Sequence, residues 1–110
     1  MIGNIQGGLS GPAIKPIALL KVMQVAEVAR PHGVPIIGQG GITNARDALE
    51  FMIAGATAVG VGTSLFYDPL VCRKINVGIA DYLKGHGMSS AVELVGSLDA
   101  PPRKVEACTC

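Results

Sequence analysis

The sequence lacks tryptophan, and aromatic residues make up only 4% of its 110 residues. Charge of either sign is sparse and balanced, with nine basic and eight acidic residues and a formal net charge of +1. No basic run is present that would bind the phosphates of DNA, RNA or anionic lipid. No apolar run reaches membrane-spanning length, and residues 1–4 lack the features of a secretion signal. We therefore expect a cytoplasmic protein that binds neither nucleic acid nor membrane.

Cysteine is also scarce, with three residues at positions 72, 108 and 110. An odd number without paired spacing predicts neither a disulfide framework nor a zinc site. We expect reduced thiols and no metal centre. Cys72 is predicted to be a packed thiol at the start of a helix.

Apolar residues and glycine are abundant, at 49% of the sequence and 15 residues respectively. This composition is typical of a buried α/β core, in one small domain or a piece of a larger one. The sequence predicts two strands, over 34–38 and 56–62, and a turn over 64–67. It also predicts a helix over 13–29 and a second helix capped by Asn44 and ended by Gly55. A third helix is opened by Asp68 and Pro69, and a short last helix has a capping box of Ser90 and Glu93. Residues 99–110 are predicted to be a disordered tail.

The alternation of helices and strands predicts right-handed crossovers and a parallel sheet whose apolar strands are buried on both faces. Two such strands are too few for a stable sheet, because they leave edges and apolar faces exposed. The chain is therefore expected to need further strands, from more sequence or from other subunits.

Both predicted strands run into glycine at their carboxyl ends. Gly40 and Gly41 follow the first strand, and Gly62 and Thr63 end the second. Backbone N–H groups at glycine-rich strand ends beside a helix start can bind phosphate, and in (β/α)8 barrels this site lies after strands seven and eight. The alternative, that these glycines only permit tight turns, is favoured for any single glycine. The pair of loops with βαβ spacing favours a phosphate site.

Three segments carry a resemblance to a known family. Residues 7–16 read GGLSGPAIKP, residues 35–42 read PIIGQGGI, and residues 54–63 read AGATAVGVGT. Together they resemble the C-terminal part of a class 1 dihydroorotate dehydrogenase, with the NAD-linked type 1B branch fitting best. The resemblance runs from about Gly3 to Leu98, so that residues 1–98 are interpreted as part of one barrel domain, containing about strands 7 and 8 with their flanking helices.

The resemblance implies an FMN-containing TIM barrel that oxidises dihydroorotate to orotate in pyrimidine biosynthesis. By position, Gly11 would contact the flavin side of FMN, and the phosphate would be held by Gly40, Gly41, Gly62 and Thr63. The type 1B branch further implies a partner subunit with FAD and an iron–sulfur cluster that passes electrons to NAD. No catalytic residue is predicted in this chain.

Family members are considerably longer, and their catalytic cysteine base, substrate-binding asparagines and flavin-contacting lysines have no counterpart here. We therefore expect the chain to be inactive alone. His32 and His86 are interpreted as solvated loop residues and Lys15 as a solvated lysine. Arg46 and Asp47 are interpreted as a polar helix face.

Three alternatives stay open at this point. The chain could be a stand-alone phosphate-binding or assembly module that oligomerises through its strand edges. It could instead derive from a dihydropyrimidine dehydrogenase-like flavoprotein. A non-flavin sugar-phosphate barrel is a third alternative, against which the first glycine-rich segment argues.

Overall fold

A computed structural model describes Gly3 and residues 6–98 of the chain. In chain order, its main elements are α1 (Lys15–Ala29), β1 (Ile37–Gln39), α2 (Ala45–Ala54), β2 (Ala58–Gly60), α3 (Ser64–Tyr67) and α4 (Val71–Gly85). Short 3-10 turns lie at Pro12–Ile14, Arg30–His32 and Ala91–Glu93. The predicted tail, with Cys108 and Cys110, lies outside the described residues.

The two strands form a parallel pair in which Gly38 lies opposite Val59 and Gln39 opposite Gly60. The predicted parallel connection is confirmed, but each strand has three residues and is shorter than predicted. Pro35, which has no N–H to donate, precedes the ladder. The expectation of strands buried on both faces is wrong for this chain, because Ile37 is 69% exposed on the open face of the sheet.

Helix α1 follows the turn at Pro12–Ile14 and therefore begins two residues later than predicted. Within this helix, only Val22 and Ala26 are buried. Val25 and Val28 are 51% and 71% exposed, so that the predicted broad buried face is narrow here. The covered stripe is narrow because α1 packs mainly against α2 and β1 on one side.

Helix α2 is the most buried element and packs between α1 and α4. Asn44 caps it as predicted, since its Oδ1 accepts a hydrogen bond of 2.9 Å from the Asp47 N–H. Gly55 ends it with φ 132°, a conformation that favours glycine. Phe51 is fully buried and lies over Gly38, where an added Cβ would come 2.7 Å from the ring. The helix is thus seated tightly on β1.

The segment after β2 differs from its prediction in two respects. The predicted turn is the four-residue helix α3, and α4 begins at Val71, later than the Asp68–Pro69 pair suggested. The carboxylate of Asp68 accepts from Leu70 N at 3.0 Å, so that it forms a turn ahead of the helix. Val71 and Ile75 face the core. Cys72 is exposed, which corrects the prediction of a packed thiol, because the inward stripe of α4 turns it outward.

The last described turn packs back onto α2. Ser90 caps the turn as expected, since its hydroxyl accepts from Val92 N, but the reciprocal bonds of the predicted capping box are not formed, because the Glu93 carboxylate accepts from Ser89 N and Oγ and not from Ser90 N. Leu94 is 1% exposed and packs against residues of α2. Among the described helices, none combines the length and apolar character needed to cross a membrane.

Candidate functional site

A cavity of about 200 Å³ lies at the carboxyl ends of the two strands. Three segments far apart in sequence line it: the first glycine-rich loop, the loop after β1 and the loop after β2. The lining residues are Ser10, Gly11, Ile14, Gln39, Gly40, Gly41, Ile42, Gly60, Val61, Gly62, Thr63 and Ser64. All five residues that the sequence singled out for cofactor binding therefore meet at one cavity.

The loop after β1 is held against the first loop by close backbone packing. Gly40 and Gly41 have φ of 124° and 75°, which L side chains rarely adopt. A Cβ on Gly41 would lie 2.9 Å from the carbonyl oxygen of Gly11 and 2.8 Å from Lys15 Cβ. A Cβ on Gly40 would lie 2.7 Å from Ala18 Cβ. Both glycines are thus required by neighbouring protein atoms.

Gly62 in the loop after β2 has a different environment. Its φ lies outside the range that favours glycine, and an added Cβ would meet no heavy atom within 4 Å. Nothing in the described protein therefore demands glycine at this position of the cavity wall.

Backbone N–H groups on the cavity are available for a ligand. The carbonyls of Gly62 and Thr63 accept from Leu65 N and Phe66 N at 3.0 and 3.1 Å, which forms the turn of α3. Within residues 6–98, the N–H groups of Gly41, Gly62 and Thr63 donate to no other protein group. The Thr63 side chain makes no capping hydrogen bond either. These donors, from two neighbouring loops, can serve an anion.

Among the described residues, none that lines the cavity carries a charge. Lys15 directly follows the lining residue Ile14 in the sequence, and it forms ion pairs with Asp47 and with Glu50, the latter at 2.7 Å. Hydrogen bonds to these two carboxylates raise the pKa of Lys15 above its ordinary value. The prediction of a solvated Lys15 is therefore wrong, and its charge is neutralised by protein groups beside the cavity.

Asp47 is buried, which corrects its assignment to a polar surface face. Its carboxylate accepts from Thr43 N at 3.0 Å and from Thr43 Oγ1 at 2.8 Å. Burial by itself raises the pKa of Asp47, but the hydrogen bonds from Lys15 and Thr43 outweigh burial and lower that pKa overall. Arg46, in contrast, has a side chain that is 88% exposed, as predicted.

The ion pair between Lys15 and Asp47 was not predicted from the sequence, because the two residues lie 32 positions apart. The one local signal was an acidic residue three positions after a helix cap, a position where a carboxylate meets the helix N-terminus.

The other candidate groups do not line the cavity. His32 is exposed at the turn after α1. His86 is exposed and stacks on Tyr82, with ring centroids 4.0 Å apart. Cys72 lies on the outer side of α4. Within the part of the chain that the structure describes, no three acidic, histidine or cysteine side chains gather into a metal site.

Comparison with known proteins gives consistent matches. A family model described as dihydroorotate dehydrogenase matches residues 1–83. The chain is 57% identical over 98 residues to the dihydroorotate dehydrogenase B (NAD(+)) catalytic subunit of Geotalea daltonii, covering 89% of this chain and 31% of that protein. The identically named protein of Porphyromonas gingivalis is 55% identical, with the same coverage. The chain thus spans about a third of the length of the curated relatives it matches.

Comparison of the fold with solved structures also matches dihydroorotate dehydrogenases. The crystal structure of DHODH from Eimeria tenella in complex with ferulenol superposes with a TM-score of 0.78 at 31% identity, covering 87% of this chain and 26% of that one. A ligand-free structure of DHODH from the same organism matches equally, at 32% identity. The predicted fold class, an α/β segment of a TIM barrel with about strands 7 and 8, is confirmed. On the family model, the identities and the shared fold, this chain belongs to the dihydroorotate dehydrogenase family.

Proposed function

We propose that this chain forms the FMN phosphate-binding segment of a dihydroorotate dehydrogenase. In this proposal, Gly40, Gly41, Gly62 and Thr63 hold the phosphate of FMN, and Gly11 approaches its flavin side. The observation that carries the proposal is the convergence of these five residues on one cavity at the carboxyl ends of parallel strands. Barrel enzymes commonly bind phosphate after strands seven and eight at such a place.

The chemistry of the cavity supports an anion held by neutral donors. Its described lining contains no lysine or arginine side chain, so that the donors are backbone N–H groups and neutral side chains, namely the hydroxyls of Ser10 and Thr63 and the amide of Gln39. An added Cβ at Gly62 would meet no heavy atom of the described residues within 4 Å, which leaves this part of the wall open to a closely approaching ligand.

The size of the cavity supports one end of a cofactor and not an entire one. Its volume, about 200 Å³, is below the range of roughly 300–1,000 Å³ that is typical of whole small-molecule sites. We infer that the phosphate lies in the cavity and that the remainder of FMN extends beyond these residues. The flavin, when bound, supplies the redox chemistry, and the residues of this chain bind and orient it.

We further propose that the complete protein oxidises dihydroorotate to orotate and passes electrons to NAD through a partner subunit with FAD and an iron–sulfur cluster. The support is the name of the similar proteins from two bacteria, each described as a dihydroorotate dehydrogenase B (NAD(+)) catalytic subunit. We also propose that residues 1–98 form the barrel segment and that the protein is cytoplasmic.

The proposal is tested by titrating the purified chain with FMN and with riboflavin, following flavin fluorescence. Riboflavin differs from FMN by the phosphate alone. A hydrogen bond to a charged group contributes about 1.5–3 kcal/mol, so we expect FMN to bind at least about tenfold more tightly. Inorganic phosphate should compete with FMN. Equal affinity for the two flavins would contradict a phosphate site.

Catalysis by the chain alone is a separate point. No group among the described lining residues is a carboxylate, histidine or cysteine that could take a proton from the substrate. We therefore expect no orotate absorbance when the chain is mixed with FMN and dihydroorotate. Turnover under these conditions would show that the chain carries its own base.

A second candidate is a stand-alone phosphate-binding or flavin-binding module that completes its sheet by oligomerising. The exposure of Ile37 on the open sheet face favours it. Light scattering over a range of concentrations separates the two. A uniform oligomer that retains flavin supports the module, whereas heterogeneous aggregation supports a segment of a larger barrel.

A further inference from the structure

Two neighbouring hydroxyls at the cavity have different surroundings. Ser64, the first residue of α3, is 8% exposed, and its Oγ donates a hydrogen bond of 2.7 Å to the carbonyl oxygen of Ile42. Thr63, one residue earlier, makes no side-chain capping bond. The hydroxyl of Ser64 is thus committed to the protein, whereas that of Thr63 is available to a ligand.

The acceptor of the Ser64 bond lies on a fixed part of the loop after β1. Ile42 is 3% exposed, and its side chain belongs to the same buried cluster as Phe51 and Val71. Its neighbour Thr43 is held by two hydrogen bonds to Asp47. Movement of the Ile42 carbonyl would therefore disturb both the core and the buried carboxylate.

The Ser64 bond is also the single hydrogen-bonded link between the two glycine loops in the described structure. The strand pairing ends where Gln39 lies opposite Gly60. Beyond that pair, among hydrogen bonds of residues 6–98, only the bond from Ser64 Oγ to Ile42 O joins 40–43 to 61–64. Beyond the core packing of Ile42 and Val61, this hydroxyl therefore fixes the distance between the loops that carry the N–H donors.

We propose that Ser64 is a positioning residue of the phosphate cavity. Its hydrogen bond to Ile42 holds the start of α3 at the spacing at which N–H groups of both loops reach one phosphate. The proposal rests on the proposed function, because it assigns Ser64 a part in holding the phosphate that this function requires. Ser64 lines the cavity, but its hydroxyl is bonded to Ile42 O and therefore acts through the loops and not as a donor to the ligand.

The first test is binding by three variants of the full chain. Loss of one buried hydrogen bond misplaces several donors, so we expect Ser64→Ala to weaken FMN affinity about tenfold while riboflavin affinity stays unchanged. Ser64→Thr retains the hydroxyl and should restore FMN affinity. Ser89→Ala, which removes an exposed serine hydroxyl bonded to Glu93 at 3.1 Å, is the matched control and should match the parent chain.

The second test needs no ligand. Amide hydrogen exchange of the ligand-free chain should show faster exchange at Leu65 and Phe66 in Ser64→Ala, because the turn that protects them is no longer tied to Ile42. Ser89→Ala should leave their exchange unchanged.

The outcomes are separable. If the parent chain binds FMN and riboflavin equally, the proposed function fails, and the exchange experiment still decides whether Ser64 fixes the turn. If exchange at Leu65 and Phe66 is unchanged in Ser64→Ala, the positioning proposal is overturned. It is also overturned if the parent chain binds FMN more tightly than riboflavin and Ser64→Ala binds FMN as tightly as the parent chain does. The same holds if Ser64→Ala lowers the affinity for both flavins equally.

Discussion

The loops after β1 and β2 line the same cavity, but their glycines are there for different reasons. In the loop after β1, positive φ and contacts of 2.7–2.9 Å from an added Cβ make any residue other than glycine strained at Gly40 and Gly41. In the second loop, Gly62 has neither constraint. A glycine costs conformational entropy relative to alanine, about 0.5–1 kcal/mol in regular structure. A closely approaching ligand supplies a reason for Gly62 that the described protein does not.

The comparison separates stability from binding. The loop after β1 is built into the fold through its contacts with Gly11 and Lys15 and through the bonds of Thr43 to Asp47, so that changes there should disturb the whole domain. In the described structure, the loop after β2 is hydrogen-bonded to the loop after β1 by one hydroxyl, and its Gly62 faces open space. Substitutions in the second loop should therefore affect binding first.

The largest effect is expected for Gly41→Ala. The new Cβ would meet Lys15 and the Gly11 carbonyl, at a φ of 75° that costs alanine about 1–2 kcal/mol on its own. We expect the free energy of unfolding to fall by about 2–3 kcal/mol, measured by urea denaturation. Gly85→Ala is the control, since a Cβ there meets nothing within 4 Å, and it should not destabilise the chain. A Gly41→Ala chain as stable as the parent would remove the distinction between the loops.

Asp47→Ala should have the next largest effect. It leaves the N–H and hydroxyl of Thr43 without their acceptor, and it removes one of the two carboxylates that pair with the Lys15 ammonium group. Loss of a partly buried, charge-assisted set of this kind costs about 1–3 kcal/mol. Arg46→Ala is the matched control on the same helix, because its ion pair with Glu50 is 3.6 Å long and solvent-exposed. We expect Arg46→Ala to change stability by less than about 0.5 kcal/mol.

These long-range contacts mark what the sequence could and could not predict. The cap at Asn44, the end of α2 at Gly55 and the meeting of Gly40, Gly41, Gly62 and Thr63 follow from local rules and from the βαβ spacing. The place of Gly11 at the same cavity came from the family resemblance alone. The pairs Lys15–Asp47 and Ser64–Ile42 join residues 32 and 22 positions apart. Their partners depend on how helices and loops pack, which periodicity does not determine. The same holds for Cys72, whose exposure depends on which stripe of α4 faces inward.

Gly62→Ala isolates the second loop. Because an added Cβ meets no protein atom, stability should stay within about 0.5 kcal/mol of the parent chain. FMN affinity should fall about tenfold, equivalent to about 1.4 kcal/mol, if the methyl group occupies space that the phosphate needs. Fluorescence titration and urea denaturation of the same sample give both values. Unchanged FMN affinity, in a parent chain that prefers FMN to riboflavin, would mean that Gly62 is only a turn residue.

The smallest effect is the pH dependence of the Lys15–Asp47 ion pair, which joins α1 to α2 beside the loop after β1. The lowered pKa of Asp47 means that its contribution to stability is present above the ordinary carboxylate pKa and is lost as pH falls through the lower folded value. The raised pKa of Lys15 means that its contribution is present below the ordinary lysine pKa and is lost as pH rises through the higher folded value. The difference in stability between the parent chain and Asp47→Asn should therefore be constant from about pH 5 to 9, and should narrow in acid. Urea midpoints measured across this range test it. A difference that widens toward acid would show that burial, and not hydrogen bonding, dominates the titration of Asp47.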